Sequence, residues 1–492
     1  MRYFYFIILA IGVMGCEEEQ KSPIVITEDV LYLSGEIVKL SGRIYENGGS
    51  PVSEHGFEIS TSENFDSDVT TLKLGATNNI GQFIGSDSTL LSDRDYSYRA
   101  YAVSQENIIY GHTKRFQTLS PRIKYFSPHI AYEGETMTIV GSNLSSKTKV
   151  FFGDKEADIV SILLESIITV NIPEIQQTPV VEIIVQIDGE NYTFQEPFEY
   201  IVGDWKKVGN FINNINFFNG INIQIDNELL FGLGYIPGGE SNEQIWKLKF
   251  DNWEWEEVFN YPGTTLRGPF YDESGVIGAG ASVWPAEAGT IIPNNQMWEY
   301  KNGIFNNIGN TPLIYKSILF QANGVYYATG GRQVTSSTSS VENRIVFKYH
   351  KDLNTWTEYS SMPFEFDSDM ISFAYDCCQF FLTKDGRLWE YNPSLNNWTR
   401  LRQAPFTRTV GGFAEVIGEK IYVGGIRQDN KIWEYSVEND SWKSKTDFPG
   451  DAALYNATHF NYNSKLYVIK GHAFDPSLEF PMEIWEFAPE KF

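Results

Sequence analysis

Three stretches of this chain align without a gap: Phe347-Lys348-Tyr349-His350-Lys351-Asp352-Leu353-Asn354-Thr355-Trp356, Trp389-Glu390-Tyr391-Asn392-Pro393-Ser394-Leu395-Asn396-Asn397-Trp398 and Trp433-Glu434-Tyr435-Ser436-Val437-Glu438-Asn439-Asp440-Ser441-Trp442. Each has an aromatic residue, a tyrosine two later and a tryptophan seven beyond the tyrosine. The residues between are polar turn formers, so each stretch reads as strand, turn, strand. In Ile432-Trp433-Glu434-Tyr435 a period of two puts Trp433 and Tyr435 on one face and Glu434 on the other. Weaker copies stand at Trp246 (with Leu248 and Trp255), Trp298 (with Tyr300) and Trp485 (with Phe487). The copies recur every 42 to 52 residues. A period of that size marks a tandem architecture rather than a single sheet.

Ahead of each outer hairpin lies an inner half: an apolar strand, a turn, and a second strand that runs into glycine. Gly412-Phe413-Ala414 leads to Ile421-Tyr422-Val423-Gly424-Gly425, and Ile318-Leu319-Phe320 leads to Tyr326-Tyr327-Ala328-Thr329-Gly330-Gly331. Others run from Ile221-Asn222-Ile223 to Gly232 and Gly234, from Phe270-Tyr271 to Gly278 and Gly280, and from His459-Phe460 to Tyr467-Val468. A further copy, Ile371-Ser372-Phe373 to Phe380-Phe381-Leu382, lacks the glycine pair. Glycine suits positions where backbones crowd together. Diglycine followed by Trp-x-Tyr and a later Trp resembles the kelch repeat, whose units are four-stranded blades of a β-propeller. Six inner halves imply six blades over residues 203–492. Closure is expected too. Trp485-Glu486-Phe487 leaves no room for an outermost strand before Phe492, and Asp204-Trp205-Lys206-Lys207-Val208 reads as an orphan one. Pairing the two would remove both free edges.

Upstream, residues 24–118 alternate in short runs such as Gly56-Phe57-Glu58-Ile59 and Tyr96-Ser97-Tyr98-Arg99-Ala100-Tyr101-Ala102, the pattern of a sandwich. Tyr98 to Ala102, Tyr110-Gly111 and Phe116-Gln117-Thr118 resemble the closing strands of fibronectin type III-like modules. Residues 119–202 carry Pro121-Arg122-Ile123, Phe126-Ser127-Pro128, Gly134, Thr138 to Leu144, Val150-Phe151-Phe152-Gly153 and Phe198-Glu199-Tyr200. That order resembles the IPT/TIG module, an immunoglobulin-like sandwich, and implies a spacer. The fold class expected is therefore all-β: two immunoglobulin-like sandwiches followed by a six-bladed kelch-type propeller.

The amino terminus bears on location. Arg2 precedes the apolar run Phe4 to Val13, which is too short to span a bilayer and reads as a signal peptide over residues 1–15. Val13-Met14-Gly15-Cys16 resembles the lipobox of bacterial lipoproteins, although Val stands where Leu is commonest. The resemblance implies acylation of Cys16, a tether over 16–23 and an outer-membrane anchor. Glu17-Glu18-Glu19 is similar to the surface-export signal of some Gram-negative lipoproteins. A solvated tether explains the same three residues.

With 492 residues, three domains of ordinary size are expected. A formal net charge of −25 argues against a nucleic-acid partner, because binding phosphates needs clustered Lys and Arg. Besides Cys16 there are only Cys377 and Cys378. As strand neighbours they would point to opposite faces, and no disulfide framework follows.

Chemistry is sparse. Copper oxidases resembling galactose oxidase share the kelch propeller, but they need tyrosines, two histidines and a Cys–Tyr crosslink. The propeller region has His350, His459 and His472 only, so neither metal nor other cofactor is expected. No Ser/His/Asp order, phosphate-cradling loop or HExxH occurs. An epimerase or lyase resembling sialate-epimerase-like kelch enzymes is the alternative, working through a Glu, Arg or His at the mouth. A scaffold without ligand is a third reading. The leading expectation is a surface-anchored protein that binds a glycan or a partner protein. It resembles accessory lipoproteins beside outer-membrane glycan-uptake machinery. In a propeller the loops entering each first strand and leaving each second strand share one mouth. The first set offers Arg267, Lys316, Asp369, Arg408 and Asn456, and the second Trp284, Arg332, Arg427 and His472. In kelch proteins an arginine ahead of the inner strand often faces ligand, and Arg267 and Arg408 match it. Arginines select anionic groups, and an exposed tryptophan stacks on a sugar face or anchors a protein contact.

Overall fold

Burial follows the pleat. Along Thr136–Ser142 and Ile183–Ile187 buried residues alternate with partly exposed ones, which is the pattern of a strand with one face on a core. A computed structural model describes residues 22–212, 220–225, 227–234, 242–263, 270–272, 274–278, 295–336, 339–449, 458–470 and 482–491. Among these the only helix is one 3-10 turn, Lys351–Leu353. No described helix is long and apolar enough to cross a membrane. The chain divides into two units, residues 1–200 and 201–492.

The first unit contains two sandwiches in tandem. In the first, Val38–Glu46 pairs with Ile24–Thr27, Tyr32–Leu33 and Gly81–Asp87. The facing sheet is built on Val52–Ser60 and Asp95–Ser104. Leu40, Phe57, Tyr98 and Ala100 are fully buried between them. In the second, three sheets enclose Phe126, Ile139, Val150, Phe152, Ile168, Val185 and Phe198. The joint between the sandwiches is polar and close. Glu36, 5% exposed, accepts hydrogen bonds from the Ser146 amide and hydroxyl at 2.8 Å each. The Ser34 hydroxyl donates to Glu165 at 2.9 Å, and a Cβ on Gly35 would fall 2.8 Å from the Asn143 carbonyl oxygen. The two donors satisfy a carboxylate that the joint shields from water, where an unpaired one would be costly.

The described residues of the second unit form six antiparallel sheets. Sheet 1 runs Ile221–Ile225, Glu228–Gly232, Gln244–Lys249, Glu254–Asn260. Sheet 2 runs Phe270–Tyr271, Val276–Gly278, Gln296–Lys301, Ile304–Asn310. Sheet 3 runs Ile314–Ala322, Val325–Ser336, Ile345–His350, Thr355–Ser361, with Ser339–Glu342 added beside its second strand. Sheet 4 runs Ile371–Tyr375, Cys378–Leu382, Leu388–Asn392, Asn397–Arg400. Sheet 5 runs Phe413–Ile417, Lys420–Gly424, Ile432–Ser436, Ser441–Lys445. Sheet 6 has Thr458–Tyr462, Lys465–Lys470 and Glu483–Ala488 in order, and its fourth strand is Asp204–Asn210 from the start of the unit. Trp205 lies opposite Phe487 and Lys207 opposite Trp485.

Apolar clusters join each sheet to the next. Ile223 and Ile277 belong to one cluster, Val276 and Leu319 to another, Phe320 and Phe381 to a third. Ile371 and Ile421 share the next, then Phe413 and Val468. A sixth cluster joins sheet 6 back to sheet 1, with Phe460 and Ile484 against Phe231 and Trp246.

The aligned hairpins explain their own repeat. Tyr349, Tyr391 and Tyr435 stand opposite Trp356, Trp398 and Trp442, with ring centroids 4.9, 4.4 and 4.8 Å apart. Each tyrosine hydroxyl donates to the turn residue five positions on: Asn354 at 2.9 Å, Asn396 at 3.0 Å, Asp440 at 2.8 Å. Those three residues have φ of 48°, 49° and 43°. Asn and Asp tolerate that left-handed conformation better than other side chains. The same turns reach the sheet before. Trp356 Nε1 donates to the Asn310 carbonyl, Trp442 Nε1 to the Arg402 carbonyl, and Asn396 Nδ2 to the Tyr359 carbonyl. Sheet 6 rebuilds the aromatic pair from two ends of the unit: Trp205 stacks on Phe487 at 4.6 Å and donates to the Thr446 carbonyl at 3.1 Å.

Candidate functional site

The arginine loops meet at one end of sheet 5. The Arg427 amide donates to the Val410 carbonyl at 2.9 Å, which ties the loop leaving the second strand to the loop entering the first. Exposed Arg408 donates from Nη1 to Gln428 Oε1 at 3.4 Å, while the Arg427 side chain is partly buried. In sheet 3, Arg332 sits opposite both Ile314 and Glu342, with Nη1 3.9 Å from the Glu342 carboxylate. Gly330-Gly331-Arg332 matches Gly424-Gly425-Ile426, so Arg332 occupies the corresponding end of its sheet. Lys316 lies in the strand Ile314–Ala322, and its side chain is outside the described residues. Arg267, Trp284, Asn456, His472 and Cys16 also lie outside them. The structure thus joins the loops that carry Arg408 and Arg427 and leaves Arg332 two sheets away in chain order.

A second polar group runs along the first strands and was not legible as a motif. His459 Nδ1 and Glu415 Oε2 lie 2.6 Å apart, and Asn461 donates to the other Glu415 oxygen at 2.7 Å. His459 stacks on Phe413 with centroids 4.9 Å apart. Asn222 of sheet 1 donates to the His459 carbonyl at 2.5 Å, and the Tyr271 hydroxyl of sheet 2 donates to Asn222. These contacts link sheets 5, 6, 1 and 2 through side chains on their first strands. In sequence the residues are a scattered Glu, His, Asn and Tyr, and only the inter-sheet geometry joins them. Asp272 follows the first strand of sheet 2. Burial pushes its carboxyl up, against hydrogen bonds from Ser274 and the Val276 amide.

A cleft of about 450 Å³ opens where sheet 6 meets sheet 1, lined by Val208, Gly209, Asn210, Leu248, Trp253 and Trp255 among others. The repeat explains why it is there. Leu248 stands where the aligned hairpins have tyrosine, and Trp253, at φ 58°, stands where they have Asn or Asp. At the junction of sheets 2 and 3 a Cβ on Gly309 would strike the side chain of Asn354. Gly209 is the matching residue on sheet 6, and a Cβ there would meet nothing within 4 Å. Among the described residues no side chain fills this junction as Asn354 fills the other, and Trp253 is 39% exposed. Large exposed aromatic surface beside Asn210 and Glu254 suits a ligand with both an apolar face and hydroxyls.

Residues 121–200 match the IPT/TIG domain model. Among solved structures, one described as "Structure of YjhT" is 14% identical at a TM-score of 0.43, covering 54% of this chain and 93% of that one. A structural genomics protein of unknown function from Bacteroides thetaiotaomicron is 12% identical at 0.39, covering 75% of this chain and 98% of that one. A fungal alcohol oxidase of the AA5 family in complex with copper is 10% identical at 0.37, covering 58% and 76%. No curated protein matches.

Proposed function

We propose that the second unit is a six-bladed kelch-type β-propeller, and that the chain is a lipid-anchored outer-membrane protein that binds a glycan at the propeller mouth. Three features support the ring. Six sheets share six clusters, the last cluster returns to the first sheet, and Trp205 completes the aromatic pair of sheet 6. The observation that carries binding is the joining of the loops that bear Arg408 and Arg427 at one end of sheet 5, with Arg332 at the matching end of sheet 3. Arginines on loops at that end favour an acidic sugar, because planar guanidinium donors pair with carboxylate or sulfate oxygens. Gly15-Cys16 supports the anchor. Labelled palmitate is expected on the wild type and not on Cys16→Ala.

A glycan array probed with the whole chain tests the binding reading. Binding of acidic glycans that falls at least tenfold in Arg408→Ala and Arg332→Ala supports the mouth. The cleft beside Trp253 supports a second location on the same protein. There, Trp253→Ala would abolish binding and the arginine variants would not. Silence across the array, with capture of a defined envelope protein instead, would replace the glycan by a protein partner.

A further inference from the structure

Cys377 and Cys378 were expected to share a strand and face opposite ways. The structure places them differently. Asp376, at φ 55°, and Cys377 form the turn of the first hairpin of sheet 4, and Cys378 opens its second strand opposite Tyr375. The turn folds the two side chains onto one another, and the sulfurs lie 3.1 Å apart. Cys378 is 8% exposed and packs in the cluster with Phe380, Ile421 and Val423. Cys377 is the outer, partly exposed sulfur, with the Asn392 amide 3.5 Å away. Burial pushes the Cys378 thiol well above the usual range, and the Cys377 sulfur and the Glu390 carboxylate nearby push it the same way. The only other cysteine in the chain is Cys16.

We propose that Cys377 and Cys378 form a redox-modification site: a vicinal dithiol that a low-molecular-weight disulfide converts into a Cys377–Cys378 disulfide. The Cys377 thiolate attacks one sulfur of the reagent, whose S–S bond breaks and releases one thiolate. The mixed disulfide on Cys377 then faces Cys378. The Cys378 thiol gives its proton to the thiolate released in the first step, and its sulfur displaces the second reagent thiolate, which takes a proton from water. Two protein thiols are oxidised by two electrons, and the reagent is reduced to two thiols. Exposure divides the roles, since the attacking sulfur must be reached from solvent and the resolving one need not. Adjacent Cα atoms are about 3.8 Å apart, below the usual span of a disulfide of about 4.4–6.8 Å, so the product is a strained ring that thiols reopen readily. It is therefore a reversible modification rather than a permanent staple.

The test uses the whole chain, reduced, exchanged out of reductant and treated with oxidised glutathione. It is then alkylated in denaturant and mapped across the peptide containing residues 371–387. The expected peptide is unalkylated, lighter than the dithiol by two hydrogens, and regains two alkyl groups after dithiothreitol. Cys378→Ser is expected to trap glutathione on Cys377, and Cys377→Ser to take up none. Circular dichroism checks that both variants fold, and the wild-type map stands without them. Full alkylation of both cysteines after oxidation, glutathione retained on wild-type Cys377, or a disulfide between two chains would overturn the proposal.

Discussion

A single side chain at the turn of the outer hairpin of sheet 4 does three jobs. Asn396 adopts the left-handed conformation, accepts the Tyr391 hydroxyl and donates to the Tyr359 carbonyl of the previous sheet. Asn396→Ala is expected to lower unfolding stability by about 2 kcal/mol, from the strained backbone and the lost hydrogen bonds together. Asn396→Gly keeps the conformation and should cost about half as much, which urea titration of the two variants would separate. Asp385 is the residue whose charge can be followed by pH. The Arg387 guanidinium and the Thr383 hydroxyl hold its carboxyl down to about 2, from an ordinary 3.8. A depressed pKa means that the folded state favours the carboxylate. Its stabilising contribution is present above about pH 4 and is lost as pH falls towards about 2. The carboxylate is half exposed, so the effect is small and screened by salt. Asp385→Asn should flatten that part of the curve of unfolding midpoint against pH.

At the scale of elements, the strand Asp204–Asn210 is the informative piece. It pairs with Glu483–Ala488 across almost the whole second unit in sequence. Its register is set by Trp205, whose ring covers Phe487 and whose indole N–H donates to the Thr446 carbonyl. Lys207–Glu483 and Lys491–Asp204 ion pairs flank it at the surface, where such pairs add little. Trp205→Ala should therefore cost about 3 kcal/mol. Lys207→Ala should change the unfolding midpoint hardly at all. Equal effects from the two variants would mean that the register rests on charge.

At the scale of the whole molecule, sheet 6 contributes to two clusters at once. Met482 and Ile484 pack with Phe231 and Trp246 of sheet 1, while Phe487 packs with Tyr422 and Ile432 of sheet 5. Deleting residues 482–492 should thus weaken sheets that are distant in sequence. Amide exchange at Phe231 and Tyr422 is expected to accelerate together with exchange in Lys465–Lys470. Protection retained at Phe231 and Tyr422 would show that the sheets hold independently. Cooperativity of this kind follows from apolar surface shared between neighbours, as in other repeat architectures.

The all-β class, the IPT/TIG module over residues 121–200 and the positions of the outer hairpins could all be read from the chain alone. The reason is local: a period of two, a Trp-x-Tyr signature and Asn or Asp at a left-handed turn act within a dozen residues. Side-chain partnerships between sheets could not be read that way. Glu415 with His459, Asn222 with Tyr271, and the open junction beside Gly209 depend on residues far apart in sequence, brought together by the packing of sheet on sheet. The cysteine pair shows the same limit within a few residues. Alternation predicts opposed side chains, but one left-handed residue, Asp376, turns the backbone and brings both sulfurs to the same place. Composition and spacing act through neighbours along the chain, whereas contacts across space wait for the tertiary fold.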